Sequence, residues 1–182
     1  MEAAAGLFFA SPSVRNRTDG TGVLAREAAL ALGMVGPSAR ASGVAVDVRW
    51  SHPFAPYGRR SAPVATATSG DVFARAWIRL EEARHSAGLV RRWLRELPAG
   101  AVRVALPPLA PDRLVASLVE GWRGEICHVV ATDGAGRFAR YKVVDPSFHD
   151  WMGLQLAVRG EQISDFPLCN KSFNLSYCGH DL

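Results

Sequence analysis

Residues 71–97 constrain this chain more than any other stretch. Asp71 supplies an N-cap, and Val72, Ala76, Ala83, Ala87, Val90, Leu94 and Leu97 fall on one face at helical spacing. Pro98 closes the run and Ala99-Gly100 turn the chain away. The best helix of the molecule is therefore expected here. Its arginines, at 75, 79, 84, 91, 92 and 95, alternate with Glu81, Glu82 and Glu96. That pattern reads as a solvated face with i,i+4 ion pairs, with a functional role as the alternative.

Shorter elements flank it. Residues 1–20 carry turn signals in Ser11-Pro12, Asn16 and Asp19-Gly20, and residues 23–32 predict a short helix stopped by Gly33 and Gly36. From 37 to 70 the chain is rich in Pro, Gly, Ser and Ala and predicts a long irregular segment. A second short helix is expected over 112–119. Residues 125–131 and 137–144 then lean to β-structure around the loop Asp133-Gly134-Ala135-Gly136, which predicts a hairpin. A helix over 147–159 follows, with capping-box spacing between Ser147 and Asp150 and Gly160 as its C-cap. The sum is an α+β chain, mostly helical, with one antiparallel hairpin.

The 182 residues suffice for a single domain with a real core, and 48% hydrophobic against 21% charged is an ordinary globular balance. No apolar run approaches the roughly 18 residues that span a bilayer. The start, MEAAAGLFFASPS, lacks a basic n-region and is too short to be expected as a signal peptide. Arginines are scattered among acids rather than gathered in a stripe, so a nucleic-acid partner is not expected. Three cysteines, Cys127, Cys169 and Cys178, give no disulfide framework.

Cys169, Cys178 and His180 are the right ligand types for zinc or iron, but the spacing is poor and no CxxC exists. The expected reading is two core-filling cysteines and a surface histidine. Cys127 and His128 are neighbours on a strand, so they face opposite ways and cannot form a nucleophile pair. No GxGxxG follows a strand and no P-loop is present. Arg40, Asp47 and Arg49 form an ion cluster in a long loop that is either structural or cofactor-facing.

Five blocks in order resemble one family. DGTGVL (19–24), GPSARASGVAVDVR (36–49) and HPFAPY (52–57) resemble the middle of the hydrogenase-like large subunit of respiratory complex I. GDVFARAWIRLEEARHS (70–86) is similar to the long helix that follows there, and EGWRGEICHVVATDGAGRFARYKVVDPSFHDW (120–151) to the family's Gly-Glu hairpin and Pro-Ser-Phe turn. The flavour is that of membrane-bound hydrogenases of the formate hydrogenlyase type. The terminal segment DFPLCNKSFNLSYCGHDL resembles the family's nickel-iron segment, in which Asp-Pro-Cys-x-x-Cys supplies two ligands. Those positions fall here on Ser176 and Gly179. A glycine offers no side chain, and a hydroxyl is a poor substitute for a thiolate.

The resemblance implies that residues 1–182 form one domain, the C-terminal portion of a hydrogenase-like large subunit with a multi-helical α+β fold. It implies a subunit of a membrane-associated NADH-quinone oxidoreductase or hydrogenase-like complex, peripheral on the cytoplasmic side. Electrons would pass from an iron-sulfur small subunit to quinone or protons. No cofactor is expected on this chain alone; quinone and a partner's iron-sulfur cluster belong to the complex. No residue is a certain catalyst. Arg40, Asp47, Arg49, Asp71, Arg75, Arg79 and Glu82 are expected to form a supporting polar network, acting by electrostatics. Glu125, Arg140 and Ser147 also match the family, without an assigned role. The other reading is a non-catalytic remnant or interaction subunit that needs a separate N-terminal partner. In that reading the apolar run at 6–10 would cover the surface the partner leaves.

Overall fold

Two short helices, α1 (Glu2–Ala10) and α2 (Pro12–Thr18), open the chain where turn signals dominate the sequence. The computed structural model describes residues 2–54, 56–57 and 64–180. Pro12 sits in the first turn of α2, where its missing N–H breaks no bond. α1 buries no residue and exposes Leu7, but Phe9 meets the rings of Phe73 and Trp77 edge-on.

The expected helix at 23–32 is α3, shorter at Arg26–Ala31, with Gly33 just past its end at φ +64°. The irregular segment expected over 37–70 instead holds two helices, α4 (Gly36–Ala41) and α5 (Val48–Ser51). Residues 55 and 58–63 of that expectation lie outside the described part. The Gly, Pro and Ser that read as loop signals serve packing here. Every residue of α4 is buried, and Pro37 is tolerated in the first turn. Gly36, at φ +65°, presses against the carbonyl of Arg123, a contact that a Cβ would block.

The long helix is α6, Val72–Arg95. Asp71 caps it, its Oδ1 accepting from the Ala74 N–H at 2.7 Å, as expected. Its buried face differs from expectation. Val72, Ala74, Arg75, Ile78 and Leu89 are inside, whereas Val90, Leu94 and Leu97 are exposed. Apolar periodicity gave the wrong face because the inner one carries arginines that find partners in the carbonyls of Gly22 and Gly70 and near the C-terminus.

The helix expected over 112–119 is a strand, β1 (Leu114–Glu120). It pairs antiparallel with β2 (Glu125–Thr132), which pairs with β3 (Phe138–Val144) around the expected hairpin loop, giving the sheet order β1-β2-β3. The run Leu-Val-Ala-Ser-Leu-Val-Glu suits either state, and the ladder offered by β2 decides it. Asp133 Oδ1 accepts from the N–H groups of Ala135 and Arg137 and shapes the hairpin loop.

α7 (Ser147–Ala157) follows, then α8 (Phe166–Phe173) and a last turn, α9 (Tyr177–His180). The capping box of Ser147 with Asp150 does not form. Asp145 Oδ1 takes the Ser147 N–H at 2.8 Å, and Asp150 turns fully inward. One apolar cluster joins α3, α4, α6, α7 and α8 through Ala29, Ala39, Val72, Leu154 and Phe173, with Leu24 and Met34 from the loops. A second holds Ala41, Ala74 and Ile78. Among the described residues no helix is long and apolar enough to cross a membrane.

Candidate functional site

Arg40 stands at the centre of a buried polar network. It is 0% exposed. Its Nε donates to Glu82 Oε1 at 2.7 Å, and Nη1 donates to Glu120 Oε1 at 2.9 Å and to the Val46 carbonyl at 2.6 Å. Asp47 Oδ2 lies 3.7 Å from Nη1. Burying a guanidinium this deeply is tolerated only with such compensation.

The partners are themselves held. Asp47 caps α5, accepting from the Arg49 N–H, and grips the Arg49 guanidinium through both carboxylate oxygens. Burial works to raise its pKa, but the Arg49 hydrogen bonds and the Arg49 and Arg40 charges outweigh it and hold it below the usual range. Glu120, the last residue of β1, also takes the Val48 N–H at 3.0 Å. Burial raises its pKa despite the opposing Arg40 charge. This cluster borders a cleft of about 340 Å³ lined in part by Arg49, Tyr57, Glu82, Glu120 and Trp122. Polar groups thus reach an aromatic-edged opening, an arrangement that suits a flat, partly polar ligand.

Arg75 and Arg79, next along α6, are treated differently. Arg75 is also 0% exposed, yet it donates to the Gly70 and Gly22 carbonyls and to Ser172 Oγ and lies 4.2 Å from the centre of the Phe173 ring. Arg79 donates to the carbonyls of Arg75 and Phe173. Among the described residues neither is hydrogen-bonded to a carboxylate. Burial pushes both down to about 10, so both stay cationic at neutral pH. Asp71 ties this patch to the first loop, accepting from the Gly20 N–H at 3.0 Å.

The expected network is thus divided. Arg40, Asp47, Arg49 and Glu82 share one ion cluster; Asp71 and Arg75 anchor backbone at the start of α6; Arg79 reaches from α6 to the C-terminal segment. The expectation that the α6 arginines are solvated holds for Arg84, Arg91, Arg92 and Arg95 and fails for Arg75. Sequence reasoning missed Glu120, Arg123 and Asp150. Glu120 lies one residue past the helix expected over 112–119, and the spacing of Asp150 from Ser147 points to a cap rather than to an interior acid. Arg123, in the β1–β2 turn, donates through Nε to the Asn174 carbonyl.

The terminal segment forms a closed polar knot. The Ser176 N–H donates to Ser147 Oγ at 2.9 Å, and Ser176 Oγ accepts from the Gly179 N–H at 2.9 Å. A Cβ on Gly179 would come within 2.7 Å of Asp145 Cγ and 2.8 Å of Ser176 Oγ. The two former ligand positions are therefore occupied by a hydroxyl already engaged and a glycine packed against the side chains of Asp145 and Ser176, and neither offers a thiolate. They do not fit a nickel-iron centre. Among the described residues no group of three or more His, Cys, Asp or Glu could hold a metal. Cys169 fills the core as expected, but Cys178 is exposed, because α9 turns it outward. The His180 side chain lies outside the described part. On β2, His128 pairs with the Tyr141 hydroxyl at 2.6 Å.

A mostly helical α+β chain with inward-turned arginines and a closed C-terminal knot is the kind of protein the sequence resembles, and comparison with known proteins makes the relation specific. The profile described as "Respiratory-chain NADH dehydrogenase, 49 Kd subunit" matches residues 1–115 and 107–181, and the chain belongs to that family. It is 38% identical over 169 residues to the "Carbon monoxide-induced hydrogenase" of Rhodospirillum rubrum, covering 92% of this chain and 46% of that protein. It is 33% identical to the "NADH-quinone oxidoreductase subunit 4" of Thermus thermophilus, covering 87% of this chain and 46% of that one. A chain of the membrane-bound sulfane sulfur reductase, an archaeal respiratory membrane complex, superposes with a TM-score of 0.91 at 25% identity, over 100% of this chain and 51% of that one. The chain spans about half the length of the relatives it matches.

Proposed function

We propose that the chain is a C-terminal part of a hydrogenase-like subunit in a membrane-associated electron-transfer complex of the NADH-quinone oxidoreductase type. It lies peripherally on the cytoplasmic side, beside an iron-sulfur subunit. Electrons from that subunit's cluster pass to a quinone. The observation that carries this reading is the Arg40 cluster: in a chain of this family, buried charges open onto an aromatic-edged cleft. Arg40, Asp47, Arg49 and Glu82 fix the potential at that cleft, while Asp71, Arg75 and Arg79 hold α6 in place. All act by electrostatics and positioning rather than by bond making. Quinone is preferred over protons as acceptor because neither nickel-iron ligand position, Ser176 or Gly179, carries a thiolate.

The test is to isolate the chain from membranes with its accompanying subunits and assay quinone reduction and metal content together. Quinone reductase activity without stoichiometric nickel, weakened by Glu82→Gln, is the expected result. Nickel held through residues 174–179 overturns the choice of acceptor.

A second reading, an interaction subunit without a catalytic part, is favoured by the apolar stretch after α6, where Val102, Val104 and Leu106 are almost fully exposed. It predicts that Glu82→Gln leaves activity of the complex unchanged.

A further inference from the structure

Asp150 is the acid that the reading above does not use. It sits on α7 and is 0% exposed. Oδ1 accepts from the Val35 N–H at 3.2 Å, at the start of α4. Among the described residues Oδ2 has no hydrogen-bond partner, and the same is true of two buried donors, Arg40 Nη2 and Arg79 Nε. Buried polar groups in folded proteins are nearly always paired, and an unpaired set needs an explanation. The three belong together electrostatically: the charges of Arg79 and Arg40 both act on Asp150.

We propose that Asp150, Arg40 and Arg79 enclose an internal proton-binding site, in which Asp150 gains and loses one proton and ordered water links its carboxylate to the two guanidinium groups. The donor count fits. A water molecule can accept from Arg40 Nη2–H and Arg79 Nε–H and give one hydrogen to Asp150 Oδ2. In the acid form the Oδ2–H is itself a donor, and the water must turn. The step is a bare ionisation: the O–H bond breaks, its electron pair stays on Oδ2, and the proton leaves through the water. No oxidant or reductant takes part.

The surroundings poise this equilibrium. Burial drives the carboxyl up to about 7, against the Val35 N–H, Ser38, and the Arg79 and Arg40 charges. The Ser38 hydroxyl makes no hydrogen bond of normal geometry to Oδ2. From α6, Arg75 also couples to Asp150. On α8 and α9, which pack against α7 as well, the titratable groups with described side chains are Cys169, Lys171, Tyr177 and Cys178; of these Cys169 is buried and the others are exposed. The site shares Arg40 with the Glu82–Glu120 cluster, so a change of charge at Asp150 reaches the cleft through one side chain. A group of this kind stores a proton beside an electron-transfer site.

Infrared spectroscopy of the complete chain, with any subunits that accompany it, reads the carboxyl directly. From about pH 5 to about pH 9 a carboxylic-acid carbonyl band should titrate near neutrality and vanish in Asp150→Asn, which keeps the shape of the side chain and the acceptor for Val35. Arg79→Gln, which removes a cation but retains an amide, should raise the midpoint by about one pH unit. A band unchanged in Asp150→Asn, a carboxylate ionised throughout, or an unmoved midpoint in Arg79→Gln each overturns the proposal. Because the readout is the carboxyl itself, it stands or falls separately from quinone reductase activity.

Discussion

Arg40 and Arg75 are equally buried, and the protein compensates them in opposite ways. Around Arg40 stand the carboxylates of Glu82, Glu120 and Asp47. Around Arg75 stand carbonyls, one hydroxyl and an aromatic ring. The first arrangement neutralises charge. The second satisfies donors but leaves positive charge in the interior. The difference shows that a buried arginine can be held without a directly bonded counter-ion when neutral acceptors take its N–H groups, as around Arg75. It also explains where Asp150 sits: the uncompensated charge of the α6 arginines favours its ionised form, and burial opposes it.

The largest test of this contrast is Arg40→Met. It leaves Glu82 and Glu120 in the interior without their cation and should cost roughly 3–5 kcal/mol, seen as a fall in the urea midpoint. Asp150→Asn should act in the other direction and only above mildly acidic pH. In the folded chain Asp150 keeps its proton up to about pH 7, whereas an unfolded aspartate has lost it above about pH 4. Between those values the folded state binds more protons, so stability falls as pH rises and levels off above neutrality. The asparagine variant lacks this slope and should gain roughly 2–4 kcal/mol over the parent at alkaline pH, in unfolding curves taken across the range. Asp47 has the opposite sign: its depressed pKa contributes stability above the unfolded value that is lost in acid.

Arg75→Met comes next. It removes one donor each from the Gly22 and Gly70 carbonyls and from Ser172 Oγ without leaving a buried carboxylate unpaired, and should cost about 2–3 kcal/mol in the same assay. A loss larger than that of Arg40→Met would reverse the contrast. Arg84→Ala should be smallest. Arg84 pairs with Glu2 and Glu81 at the surface, where screening leaves little net gain, and the unfolding midpoint should not move measurably.

The same contrast marks what local patterns can reveal. The Asp71 cap, the Pro98 stop and the hairpin loop at Asp133 were legible because each is a short-range matter of hydrogen bonding or backbone geometry. The strand β1 was not, since residues 114–120 accept either state until β2 offers them a ladder. The inward face of α6 was not legible either. Arginines every third or fourth residue look like a solvated stripe, and it is the carbonyls at 22, 70 and 173 and the Ser172 hydroxyl that turn Arg75 and Arg79 inward.

By itself the amino-acid sequence determined the family, the α+β class, and the absence of thiolates at 176 and 179, because side-chain identity needs no coordinates. The tertiary structure alone decided that Gly179 packs against Asp145, that Arg40 belongs with Glu120, and that Asp150 is an interior acid and not a helix cap. Those are facts about groups far apart in the chain. Their energies depend on distance and burial, which folding sets and local sequence does not.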